Sequence, residues 1–161
     1  MNLLNLVVSM DFVGPFPKSK SGHEYILTVT EHFAHYATAI PTKSMTAEEV
    51  ADELWKYFFR MGGPPKVLLS DRGPQFESEL IMRLCKLWGI DKVRTTSYYP
   101  AGDGLCERYN KVLGDSLYSA VRQCDDRRNW DKYFIGRSPR QEHEYSFACI
   151  GQLTIGEHSF P

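Results

Sequence analysis

The chain has no run of 18 apolar residues, which excludes a membrane-spanning helix. It has no Cys-x-x-Cys pair either. Cys85, Cys106, Cys124 and Cys149 are scattered, and two of them fall among apolar neighbours in predicted helices, where cysteine acts as a small buried hydrophobe. His32 and His35 are three apart, but no cysteine pair completes a zinc site around them. The start Met1-Asn2-Leu3-Leu4-Asn5 carries neither a basic region nor the apolar core of a secretory leader. The expectation is an intracellular, reduced protein. An excess of charge of one sign is missing too: 19 Lys and Arg face 20 Asp and Glu, a formal net charge of −1. No global field therefore draws the chain to nucleic acid, and such contact has to come from local basic patches.

What is present suits one folded domain. With 161 residues, 42% of them hydrophobic and 24% charged, the chain can bury a core but is too short for two good ones. Strand patterns run over Leu6 to Phe12, Tyr25 to Thr30 and Tyr36 to Ile40. Short joins rich in turn residues predict an antiparallel meander. A helix follows, opened by a capping box of Thr46 and Glu49 and stopped by Gly62-Gly63-Pro64-Pro65. The spacing then predicts a strand over Lys66 to Ser70, a helix over Ser78 to Trp88, a strand over Asp91 to Thr96 and a long helix from Gly104 to about Gln123. Another helix is expected to start within Trp130 to Phe134. Helical crossovers make the last two strands parallel. The fold class is α/β: a five-stranded mixed sheet, three strands antiparallel and then two parallel, with helices on both faces. Beyond Phe134 the apolar period decays among Gly136, Pro139, Gly151 and Gly156. This predicts a core over 1–134 and a divergent, poorly ordered tail over 135–161.

Three carboxylates stand out. Asp11 interrupts the first apolar strand, Asp71 closes the fourth, and Glu107 opens the long helix. Each has an ordinary explanation: a solvent-facing strand acid, a turn residue, and half of an i,i+4 pair with Lys111. A central strand covered on both faces has no solvent side, however, and a bare carboxylate there carries a large desolvation cost unless a cation neutralises it. On the long helix Leu105, Tyr109, Val112, Leu113, Leu117 and Val121 form the apolar stripe. Glu107, Lys111, Gly114 and Tyr118 lie opposite, so Glu107 is free to face a cleft. Carboxylates without thiolate or imidazole suit hard cations such as Mg²⁺ or Mn²⁺.

The blocks around these acids resemble the catalytic core of retroviral-type integrases, in particular those of gypsy-like long-terminal-repeat retrotransposons. They are Met10-Asp11-Phe12-Val13-Gly14-Pro15-Phe16-Pro17, Leu69-Ser70-Asp71-Arg72-Gly73-Pro74-Gln75-Phe76, and Ser97-Tyr98-Tyr99-Pro100-Ala101-Gly102-Asp103-Gly104-Leu105-Cys106-Glu107-Arg108-Tyr109-Asn110-Lys111. Between Asp71 and Glu107 stand 35 residues, the interval of the family's D,D-35-E pattern. The resemblance implies a ribonuclease-H-like fold and a catalytic triad of Asp11, Asp71 and Glu107. It further implies that the triad holds two Mg²⁺ or Mn²⁺ ions for trimming DNA ends and transferring them into target DNA.

Lys111 aligns with a lysine that contacts the element's DNA end, and Asn110, Arg108 and Gln75 are candidate DNA contacts beside it. Double-stranded DNA, a homo-oligomeric active form, action in the nucleus and no membrane contact are implied in the same way. Tyr99, Ala101 and Glu31 depart from the residues usual at their positions. No block of the family is recognisable after Phe134. A catalytically silent, integrase-derived nucleic-acid-binding remnant is the alternative.

Overall fold

The computed structural model describes residues 7–32, 36–94, 111, 114–119, 121–123 and 126–133. Strands β1 (Val7–Val13), β2 (Tyr25–Glu31) and β3 (Tyr36–Thr42) pair antiparallel in sequence. β1 also pairs in parallel with β4 (Val67–Ser70), and β4 with β5 (Asp91–Arg94). The sheet order is β3-β2-β1-β4-β5, the mixed five-stranded arrangement expected, with β1 at its centre. β3 runs two residues beyond the expected end, through Pro41. A proline is tolerated there because β3 is an edge strand and its missing N–H interrupts no second ladder.

Helix α1 (Ala47–Met61) starts at Thr46, whose side chain accepts the Glu49 amide. Glu49 does not close the expected reciprocal box. Its carboxylate instead accepts the amides of Lys43 and Ser44 at 2.7 and 2.8 Å, so it caps the preceding turn. Helix α2 (Glu79–Trp88) starts at Ser78, which accepts the Ile81 amide. Gly62 and Gly89 end the two helices at φ of 84° and 67°, left-handed conformations that glycine adopts without a Cβ penalty.

Alternation along the strands divides the interior. Val8 and Met10 of β1, Leu27 and Val29 of β2 and Leu68 of β4 face Val50, Leu54 and Phe58 of α1 and Ile81 and Cys85 of α2. Each large apolar side chain fully buried there contributes about 1.5–3 kcal/mol. On the other face Ile26 and Val13 meet Phe16, Leu117, Val121 and Trp130. Leu117 and Val121 belong to the helical residues 114–119 and 121–123, so helices cover both faces.

The segment 126–133 closes the second face. Asp126 organises it by accepting the Arg128 amide and the Asn129 side chain at 3.0 and 2.9 Å. The expected helix start is a 3₁₀ turn over Trp130–Tyr133. Side chains of that turn reach back into the loop after β1. The Trp130 indole donates to the Pro17 carbonyl at 2.7 Å. The buried Asp131 carboxylate accepts Ser19 Oγ at 2.8 Å and pairs with His23 Nδ1 at 2.7 Å. Although burial opposes it, the bonds from His23, Ser19 and Ser21 hold the Asp131 carboxyl below the usual aspartate range. No described helix is long and apolar enough to cross a membrane. The expected tail, 135–161, lies outside the described residues.

Candidate functional site

Parallel pairing of β1 with β4 aligns Val7 with Val67, Val8 with Leu68 and Ser9 with Leu69. Continued by two residues, that register sets Asp11 beside Asp71 on adjacent chains, whose usual spacing is about 4.8 Å. Asp11 alternates with Met10 and Phe12 of the first-face core and so lies on the second face; the Asp71 charge is near enough to act on its carboxyl. One aspartate is on the central strand and the other just past the carboxyl end of its neighbour, where α/β sheets commonly hold ligands.

The two carboxylates differ in setting. Asp11 is half-buried, and its Oδ1 accepts the Phe12 amide at 2.7 Å. Thr28 Oγ1 fixes the strand by donating to the Asp11 carbonyl at 3.0 Å. Burial pushes the Asp11 carboxyl above the usual aspartate range; the Phe12 amide opposes this and the nearby Asp71 charge adds to it. A half-buried carboxylate with a second acid charge beside it forms a site short of positive charge. Oxygen donors alone, one of them partly withdrawn from water, fit Mg²⁺ or Mn²⁺ and not a soft metal.

Asp71 is exposed and organises its own turn: Oδ1 accepts the Gly73 amide at 2.9 Å. A Cβ on Gly73 would lie 3.0 Å from that oxygen and 2.6 Å from Gln75 Nε2. A side chain there would displace the ends of the Asp71 and Gln75 side chains, which both lie against Gly73.

Of the remaining candidates, Glu107, Arg108 and Asn110 lie outside the described residues, and Lys111 is helical and exposed. Among the described residues no third His, Cys, Asp or Glu joins the aspartates. A Cβ on Gly114 would meet nothing within 4 Å. That agrees with an open side to the long helix.

One group near the site was not foreseen. Lys92 of β5 has a side chain only 4% exposed. Its Nζ donates to Ser70 Oγ at 2.5 Å, and Ser70 Oγ donates to the Asp71 carbonyl at 3.0 Å. Glu77 Oε1 lies 3.8 Å from the Lys92 ammonium, while Glu77 Oε2 binds Arg94 Nη2 at 2.6 Å. Burial pushes the Lys92 ammonium below the usual lysine range, with Glu77 opposing. In sequence Asp91-Lys92-Val93-Arg94 reads as a polar strand. The one available signal was parity, which puts Lys92 on the face of Leu68.

Comparisons with known proteins agree with this architecture. Residues 3–100 match the integrase core domain family. The retrovirus-related Pol polyprotein of transposon 412 from Drosophila melanogaster is 30% identical over 158 residues, 94% of this chain and 12% of that protein. The alignment therefore runs past residue 134. The Pol polyprotein of radiation murine leukemia virus (strain Kaplan) is 35% identical over 96 residues, 60% of this chain and 16% of that one. The chain thus spans only a small part of these relatives. In structure, the catalytic core domain of BIV integrase superposes with a TM-score of 0.62 at 22% identity, covering 96% of this chain and 86% of that one. The HTLV-2 integrase catalytic core domain in complex with magnesium gives 0.59 at 19% identity, covering 83% and 84%. These likenesses establish the ribonuclease-H-like fold.

Proposed function

This chain belongs to the integrase core domain family, and we propose that it is a metal-dependent polynucleotidyl transferase core of retrotransposon type. The observation that carries the proposal is that Asp11 on β1 and Asp71 just past the end of β4 come from adjacent parallel strands, close enough for the Asp71 charge to add to the burial that holds the Asp11 carboxyl above its usual range. Asp11, Asp71 and Glu107 would hold a pair of Mg²⁺ or Mn²⁺ ions, which would supply Lewis-acid activation of the attacking oxygen and charge stabilisation of the leaving one. Magnesium accompanies the HTLV-2 core, which supports the choice of metal.

The chain's own residues position the partners. The Phe12 amide and the Gly73 amide orient the two aspartates. Lys111, Asn110, Arg108 and Gln75 contact the phosphates of double-stranded DNA, anchoring the element's end while its 3′-hydroxyl attacks the target phosphodiester. The catalytic unit is 1–134, followed by 135–161. Exposed Trp55, Phe59 and Leu87 on α1 and α2 favour assembly into a homo-oligomer. The HTLV-2 core is described in trimeric and dimeric forms. Action on chromosomal DNA places the protein in the nucleus.

With Mn²⁺ and a branched mimic of a joined element end, the wild-type protein is expected to release the end, and Asp71→Asn to reduce the product to background. A folded wild type that binds the DNA without cleaving it would favour the silent remnant.

A further inference from the structure

The loop between β4 and α2 carries Asp71 at its start and Gln75 in its middle, and two anchors hold it. One is apolar: Phe76 is fully buried and stacks on Phe12 of β1, ring centroids 5.6 Å apart. The other is polar and belongs to β5. The buried Lys92 ammonium reaches Ser70 at the loop's entry and Glu77 at its exit, and Arg94 binds Glu77 from outside. Lys92 aligns with Leu68 on the first face, opposite the face of Asp11. It lies behind the site and does not take the place of a cation in front of it.

A buried ammonium is costly unless its donors are met, and this one is met only while the loop keeps its shape. Ser70 turns from Lys92 to the Asp71 carbonyl at 3.0 Å, which passes the constraint to the peptide that sets the direction of the Asp71 side chain. We propose that Lys92 is a positioning residue of the metal centre, holding Asp71 and its loop in place through Ser70 and Glu77. This deepens the reading of Asp11 and Asp71 as metal ligands and rests on it. Groups behind a ligand commonly change metal affinity about 10–100-fold when removed.

The test uses two readouts on the metal-free and Mn²⁺-loaded protein. In the metal-free state, amide hydrogen exchange reports the loop through Gly73, Phe76 and Glu77. These amides bond to Asp71 Oδ1 and to the Gly73 carbonyl. Lys92→Met is expected to speed their exchange about tenfold while the β1 amides of Val8 and Met10 keep their rates, and to weaken Mn²⁺ binding by calorimetry about tenfold. Ser70→Ala and Glu77→Gln, which keep the buried amine, should each produce part of both effects. They carry the test if Lys92→Met does not fold.

Loop amides that exchange at wild-type rates in all three variants would overturn the proposal. So would a loosened loop with unaltered Mn²⁺ affinity. If the wild type itself binds no Mn²⁺, the metal-centre reading fails, and a positioning role for Lys92 at a metal fails with it. The exchange data then still show separately whether the tether orders the loop.

Discussion

The two faces of the sheet are built on opposite terms. On the first, Val8, Met10, Leu27, Val29 and Leu68 meet two amphipathic helices in a large apolar cluster, with Ser70 and Lys92 buried at its β4–β5 end. On the second, the strand positions between them include Ser9, Asp11, Thr28 and Thr30, and the apolar cluster is much smaller. The second face makes up for this with directed bonds: the Trp130 indole to Pro17, and Asp131 to Ser19 and His23. One strand thus serves two purposes. Its even residues Val8 and Met10 pack into the apolar cluster, and its odd residues Ser9 and Asp11 put polar groups on the other face.

The largest effect expected from breaking this contrast is at Trp130, which is fully buried and holds both the second cluster and the loop after β1. Trp130→Ala should cost about 3–5 kcal/mol in urea unfolding. A loss below about 1 kcal/mol would show that the second face contributes little.

A smaller effect is expected at Asp131, whose carboxyl in the folded protein lies below the usual aspartate range. A carboxyl lowered on folding contributes stability that is full above its unfolded value and lost as pH falls through the folded one. Acid below about pH 3.8 should therefore erode wild-type stability more steeply than that of Asp131→Asn. The variant should start about 1–3 kcal/mol lower at neutral pH, from the weakened buried bonds. Parallel pH profiles would remove the clasp from the account.

The smallest effect has the opposite sign. The Asp11 carboxyl is raised on folding, so its ionisation opposes the folded state at neutral pH, and that cost disappears as pH falls through its folded value towards the unfolded one. Asp11→Asn keeps the Oδ1 acceptor for Phe12, and should stabilise the metal-free protein by about 1 kcal/mol at pH 7. With Mn²⁺ present the order of melting temperatures should reverse, since only the wild type gains from binding. A destabilised Asp11→Asn in the absence of metal would show that the carboxylate is satisfied without a cation.

Much of the fold was legible because it rests on local rules. Thr46, Ser78, Gly62 and Gly89 mark helix ends through groups a few residues away. The alternation of Val8, Met10 and Phe12 with Ser9 and Asp11 is likewise visible in one strand. The pairing of Asp11 with Asp71 was expected only through the resemblance, as each acid alone reads as surface or turn. The 3₁₀ turn at Trp130 and the redirected Glu49 were missed because their partners lie outside the local pattern: the Pro17–His23 loop and the Lys43 and Ser44 amides. Lys92 was missed because a lysine in a polar strand gives no sign of burial until its neighbours are known.

By itself the sequence determined the order of the five strands and the first two helices, and the three acids with their 35-residue interval. Spacing and capping act over a few residues, so they can be read along the chain. Only the tertiary structure decided that Asp11 and Asp71 come from adjacent parallel strands, that the Asp71 carboxylate takes up the Gly73 amide, and that Lys92 is buried against Ser70 and Glu77. Those facts depend on the register between strands 60 residues apart in the chain. Such a register is fixed by the packing of the whole sheet and by no segment alone.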